Sequence, residues 1–276
     1  MMHEAKVAAL YEKGSAERLK LKKHPYNNIG YWTDDTSDMD EAAQNMLKEL
    51  VTRGGLEGAE AVLDAGCGYG QCTVDLRRVY GCKSVTGIDI SDHLVEFARK
   101  LAADTGVQDS VRFERMSATE LGFDADTFTH VIAVDCSCHF NTRVDFFKEA
   151  YRVLKPGGVL VLSDGIPVKF PEGMVWRRIS RRLYDMWCIP LENVYSLETY
   201  TRLIEEAGFG DVRAESVVDR VLIPAIAYIT SPAFEEKYRA HFGWFKTGMT
   251  MRIYKRMARA CERGYLDYGF IVARKS

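Results

Sequence analysis

Residues 62–70 constrain the fold more than any other stretch. Val62, Leu63, Asp64 and Ala65 read as a mostly apolar strand running into three glycines, Gly66, Gly68 and Gly70. Glycine takes positive φ at low cost and lets a ligand approach without meeting a Cβ. From Gln71 the pattern turns helical, with Cys72, Leu76 and Val79 on one face. Strand, glycine turn and helix N-terminus in that order make a natural site for the polar end of a nucleotide-like ligand. The glycines alone are weak evidence, because strand-to-helix turns in many α/β proteins carry two.

A second β-rich run, residues 84–90, sharpens the reading. Asp89 lies near its C-terminal end, nineteen residues after Gly70. A carboxylate about 20 residues beyond a glycine turn can accept both hydroxyls of a ribose. A dinucleotide fold requires Gly-x-Gly-x-x-Gly. Here the third glycine comes one residue early, and Gln71 stands where the dinucleotide glycine would be. Asp64 sits badly beside a pyrophosphate and suits a cationic group, such as an α-amino group or a sulfonium. Residues 64–70, followed by Gly87, Ile88, Asp89, Ile90 and Ser91, resemble the S-adenosylmethionine site of the class I methyltransferases. The resemblance covers about residues 26–215. It implies S-adenosylmethionine as cofactor and an α/β fold, a seven-stranded doubly wound Rossmann-like sheet with an antiparallel last strand and a helical cap.

With 276 residues, 47% of them hydrophobic, the chain can bury a full core as one domain with an elaborated cap. A net charge of −2 supplies no overall basic field for a polyanion, so no nucleic-acid partner is expected. The seven cysteines are odd in number and sit mostly in apolar runs, as free thiols of a reducing, cytoplasmic compartment do. Cys136, Cys138 and Cys188 lack the spacing of a zinc site and read as free thiols rather than a metal centre. The first 25 residues are charged and amphipathic, unlike a signal peptide. No run of 18 apolar residues exists, so no membrane span is expected. Homo-oligomer formation is left open.

Residues 1–38 read as an N-terminal cap segment and 39–276 as the methyltransferase domain, with cap inserts at about 168–196 and 223–264. Residues 2–19 read as a helix with Val7, Leu10 and Tyr11 as a partial apolar stripe. Tyr26, Tyr31 and Trp32 crowd the loop that follows, and loop aromatics either plug a core or line a pocket. Helices are predicted over 40–52, 71–80, 91–104, from 141 or 142 to about 154, and over 196–208. Strands are predicted over 62–65, 84–90, 111–116, 131–134, 159–163, 209–222 and 265–273. The run at 131–134 is continuously apolar and suits a strand covered on both faces. It delivers Asp135, Cys136, Cys138 and His139 at its carboxyl end, where ligands bind in open α/β sheets.

The candidate cofactor-binding residues are Tyr31, Asp64, Gly66, Gly68, Asp89, Ile90, Ser117, Ala118 and Asp135. The resemblance places the adenine at the turn beginning with Ser117, where an acid is usual; here that acid is missing, and the Ala118 N–H would serve ring N1. Tyr26, Trp32, Trp176, Trp187 and Tyr195 are the candidate substrate contacts. His139, whose neutral form is available at neutral pH, is the candidate general base, and Asp164 its partner or a substrate anchor. The resemblance to the small-molecule branch, which includes sugar O-methyltransferases, tocopherol and sterol methyltransferases and alkaloid N-methyltransferases, implies methylation of a small-molecule acceptor of specialised metabolism. O- and N-transfer, C-transfer to an isoprenoid or aromatic substrate, and a non-methylating cofactor-binding relative all stay open. An NAD-dependent oxidoreductase is disfavoured by Gln71 and Asp64.

Overall fold

A computed structural model describes residues 2–19, 23–169 and 174–276, the side chains of 13–18 and 174–176 excepted. Seven strands form one sheet in the order β3-β2-β1-β4-β5-β7-β6. They are β1 (Ala61–Ala65), β2 (Ser84–Asp89), β3 (Val111–Arg115), β4 (Phe128–Val134), β5 (Leu154–Pro167), β6 (Phe209–Ser216) and β7 (Leu266–Lys275). The first five are parallel, and β7 runs antiparallel to both β5 and β6. The sheet has the architecture expected from the sequence. Strand 6 is shorter than its apolar pattern suggested, because Leu222 begins a helix instead of ending a strand.

Nine helices are described: α1 (Met2–Leu19), α2 (Met39–Gly54), α3 (Gln71–Arg78), α4 (Asp92–Asp104), α5 (Arg143–Val153), α6 (Met174–Met186), α7 (Leu197–Glu206), α8 (Leu222–Ile229) and α9 (Pro232–Glu262). Caps set several of their starts. Asp38 accepts from the Glu41 N–H, Ser91 from Leu94 and Thr142 from Asp145. The central strands are apolar throughout because alternate residues enter different cores. Val62, Ile132 and Val161 pack with Met46, Leu47 and Leu50 of α2 and Val95 and Ala98 of α4. Leu63, Val131 and Leu160 pack on the opposite face with Phe146, Phe147 and Ala150 of α5 and Ile204 of α7.

The chain steps from β1 outward to β2 and β3, then returns to place β4 on the other side of β1. That reversal opens a crevice at the carboxyl ends of β1 and β4, which is where such folds hold ligands.

Candidate active site

The turn after β1 is glycine-rich because it is crowded. Gly70 has φ +82, and a Cβ there would lie 2.7 Å from both Ala98 and the Phe113 ring. Gly66 has φ +78, and its Cβ would meet Cys136 Sγ at 2.8 Å. Glycine alone fits both positions. Asp89, at the end of β2, holds the turn: one carboxylate oxygen accepts from the Gly68 N–H and the other from the Ser91 N–H, each at 3.0 Å. Burial raises its pKa, opposed by those same bonds. Asp64 is buried and accepts from the Thr73 hydroxyl at 2.6 Å. Desolvation still pushes its carboxyl up to about 6.

These residues line one cleft. Asp64, Gly66, Gly68, Asp89, Ile90, Ser117, Ala118 and Asp135 all face it, eight of the nine residues expected there. Tyr31 does not. It stacks on Phe270, 5.7 Å between ring centroids, and packs against the α2 side of the core. Asp135 sits in the left-handed region, φ 55, at the tip of β4, a conformation that a non-glycine residue keeps only when its surroundings enforce it. Its amide donates to Ser163 O, and its carboxylate accepts from the Ile29 N–H at 3.0 Å.

Helix α1 covers the cleft. Glu4, Val7, Ala8 and Tyr11 line it. Glu4 Oε1 accepts from the Ser117 hydroxyl at 2.5 Å, Glu12 accepts from Ser91 Oγ at 2.9 Å, and His3 Nε2 donates to His139 O at 2.9 Å. Tyr11 Oη lies 2.8 Å from His139 Nε2. In the sequence Val7 and Tyr11 read as part of an apolar stripe; their spacing of four does put them on one helix face, but nothing local says that this face meets the cleft. Asn27 and Asn28 also line the cleft, and no local periodicity or motif in their loop marks them as cleft residues.

A second, larger cavity of about 530 Å³ adjoins the cleft. Tyr184, Trp187, Tyr228, Phe234, Tyr238 and Tyr254 give it an aromatic lining. Tyr11, Asn27, Asn28, Asp135 and His139 line both spaces and form the boundary between them. Burial lowers the His139 pKa, opposed by the charge of Asp164, so its ring is neutral at neutral pH.

Asp164 departs from its expected place as a site residue. It is fully buried and lines neither space. Its carboxylate accepts from Arg143 Nε at 2.8 Å, the Cys138 N–H at 3.0 Å, Tyr200 Oη at 3.2 Å and the Ser137 hydroxyl. Asn193 Nδ2 donates to the carbonyls of Cys138 and Phe140. Asp164 thus anchors the loop that carries His139 rather than meeting a ligand.

Of the expected substrate contacts whose side chains are described, only Trp187 lines the large cavity. The Tyr26 hydroxyl donates to Asp75 under α3. Trp32 packs behind Tyr228, 5.0 Å between centroids, so it supports the cavity wall without forming it. Tyr195 covers the Arg143 guanidinium at 5.1 Å. These rings plug cores, the other fate open to loop aromatics. The Trp176 side chain lies outside the described residues, as do residues 170–173 of the first cap insert.

A methyltransferase-domain family model matches residues 63–162. The chain is 34% identical over 218 residues to the erythromycin 3''-O-methyltransferase of Saccharopolyspora erythraea, covering 78% of this chain and 71% of that protein. This chain belongs to the S-adenosylmethionine-dependent methyltransferases. It is also 32% identical over 188 residues to the 27-O-demethylrifamycin SV methyltransferase of Amycolatopsis mediterranei, covering 68% of each. A cyclopropane synthase from Mycobacterium tuberculosis shares the fold, with a TM-score of 0.82 at 17% identity over 99% of this chain and 98% of that one.

As a methyltransferase, the chain uses S-adenosylmethionine to methylate a small molecule. The residues present fit that cofactor. Gly66 and Gly68 leave a turn free of side chains, and Asp89 offers acceptors for ribose hydroxyls. Ile90, Leu94, Met116 and Ala118 give an apolar slot. Asn28 Oδ1 is buried with no hydrogen-bond partner at the cleft wall, as a ligand-facing acceptor would be.

Proposed function

We propose that the enzyme methylates a hydroxyl group on a large, predominantly apolar acceptor, with His139 as general base. One observation carries this reading: the His139 imidazole, its pKa lowered by burial, stands on the boundary between the cofactor cleft and a 530 Å³ aromatic cavity. Bound S-adenosylmethionine supplies a methyl group already activated by its sulfonium. The protein's share is alignment, exclusion of water and removal of one proton. Alignment can supply roughly 7–11 kcal/mol in favourable cases.

The residues of the two spaces divide the work. Asp64 and Asp135 carry negative charge for the cationic end of the cofactor, and Asp89 holds its ribose. Glu4 replaces the acid missing at Ser117 as acceptor for the adenine amino group. The acceptor molecule lies against Trp187, Tyr184 and Tyr228, with its hydroxyl directed to Tyr11. Its proton passes through the Tyr11 hydroxyl to His139 Nε2, the atom that Tyr11 already meets. Helix α1 and the inserts around α6, α8 and α9 close over both spaces as a cap. The relatives that methylate erythromycin and rifamycin hydroxyls support an acceptor of this size and kind.

The test is turnover on a panel of hydroxylated macrolides and ansamycins, read by mass spectrometry. On an accepted substrate His139→Ala lowers kcat by about 10²-fold or more, with affinity for S-adenosylhomocysteine unchanged. Near-normal turnover by His139→Ala removes the base role and favours C-transfer or an amine acceptor.

A further inference from the structure

Helix α9 carries a surface that the transfer reaction does not use. At Gly243 the helix breaks, with φ 75 and ψ 166, and the turn that follows presents Trp244, Phe245 and Met249 to solvent, 79%, 71% and 51% exposed. Large apolar side chains clustered in this way on a surface mark an interaction site more often than scattered ones do.

The same face continues in a different chemistry. Phe245, Met249, Arg252, Arg256, Arg259 and Arg263 follow at spacings of four, three, four, three and four, which keeps them on one side of a helix. The opposite side is inward: Thr247 and Met251 are buried, and Tyr254, Ala258 and Cys261 pack against the core. The stripe runs roughly 27 Å at about 1.5 Å per residue. Among the described residues none of the four arginines is in an ion pair. Arg53, Arg213, Arg220 and Arg239 elsewhere each meet an acid. Residues 232–262 hold seven lysines and arginines against three glutamates, in a chain whose net charge is −2. Arg178, Arg181 and Arg182 are exposed on α6, across the cavity from α9. The basic field that the overall composition denies is present locally.

We propose that this face docks on an anionic lipid bilayer, with Trp244, Phe245 and Met249 entering the interface and the arginines over the headgroups. An apolar tip joined to a row of cations is the chemistry of helices that lie on membranes. Pairing with a second copy through this face would set arginine rows against each other, and an acidic protein groove would not need the apolar tip. Thr250, Ile253 and Met257, on other sides of α9, line the acceptor cavity, and Arg256 reaches its mouth, so the cavity lies directly behind the docking face.

Vesicle flotation tests this with the full chain. The wild type floats with phosphatidylcholine vesicles containing about one quarter phosphatidylglycerol, does not float with phosphatidylcholine alone, and is released by salt. Tryptophan emission shifts to the blue on binding, and Trp244→Phe removes the shift. Phe245→Ser/Met249→Ser and Arg252→Glu/Arg259→Glu each lower vesicle affinity about tenfold or more, leaving affinity for S-adenosylhomocysteine unchanged. Absence of flotation, equal flotation on neutral vesicles, or salt-sensitive binding indifferent to Phe245→Ser/Met249→Ser overturns the proposal. So does sedimentation showing a wild-type dimer that Phe245→Ser/Met249→Ser converts to a monomer.

Discussion

At Ser117 a hydroxyl stands where the family resemblance leads one to expect an acid, and Glu4 meets it from a helix more than a hundred residues away in sequence. Glu4→Ala is expected to weaken S-adenosylhomocysteine binding by about 1.5 kcal/mol or more, the value of a hydrogen bond to a charged group. Calorimetry with the inosine analogue, which lacks the amino donor, should show no such loss. Asp64 makes a second residue-scale prediction. Its carboxyl, pushed up to about 6, is partly protonated near that pH. A cationic ligand favours the ionised form, so binding near pH 6 releases a proton, and affinity rises with pH through 6 and then levels. Titrations in buffers of different ionisation enthalpy would detect the release; the same apparent enthalpy in all of them would exclude it. With His139 as the proposed base, the acid limb of kcat is expected below the ordinary histidine value of about 6.5, because burial lowers its pKa; a pH–rate profile on an accepted substrate checks this.

The loop from Cys136 to Asn141 is an element whose shape depends on a buried ion pair. Arg143 and Asp164 have no exposed side-chain surface. Arg143 also donates to Asn193 O at 2.6 Å and Gly165 O at 2.8 Å, so the pair ties the start of α5 to the end of β5 and to the loop before α7. Removing one partner strands the other charge in the core. Asp164→Ala is expected to cost about 3–5 kcal/mol in urea unfolding, and Arg143→Met/Asp164→Leu less than either single change. A double variant as unstable as the sum of the two singles would mean that the pair acts through packing alone. The Arg143 guanidinium, covered on one side by Tyr200 of α7, explains why Tyr195, in a segment without core periodicity, packs away from the cavity.

On the scale of the whole molecule, the cleft joins parts far apart in the chain: α1, the turns after β1, β2 and β3, and the loop after β4. A ligand that binds only this assembled form stabilises the fold by mass action. At about 100 times its Kd, S-adenosylhomocysteine should add about 2.7 kcal/mol, raising Tm. Asp89→Asn should shrink that gain, because the ribose loses a charged acceptor while the turn keeps most of its shape. An unchanged ligand-induced shift in Asp89→Asn would move the ribose away from this carboxylate. Among the described residues no helix is long and apolar enough to cross a membrane.

The sheet and the cofactor turn were legible in sequence because their signals are local. Apolar runs mark strands buried on both faces, and the glycines of the β1–α3 turn are needed where a Cβ would strike Ala98, Phe113 or Cys136. The helix starts expected at 91 and at 141 or 142 fall at the caps Ser91 and Thr142 for the same reason, since a cap bonds within its own turn. What the aromatic residues do could not be read this way. Tyr26, Tyr31, Trp32, Trp187 and Tyr195 share one composition signal, yet four of them fill cores and one lines the cavity, because burial in a core and burial in a pocket select the same side chains. Asp164 and Asp135 both end apolar runs in the sequence, and only the packing of Arg143 against one of them separates an anchor from a cleft residue. Sequence alone determined the fold and the cofactor. The tertiary structure decided that α1 brings Glu4 and Tyr11 to the site, because a helix face has no partner until distant segments close on it.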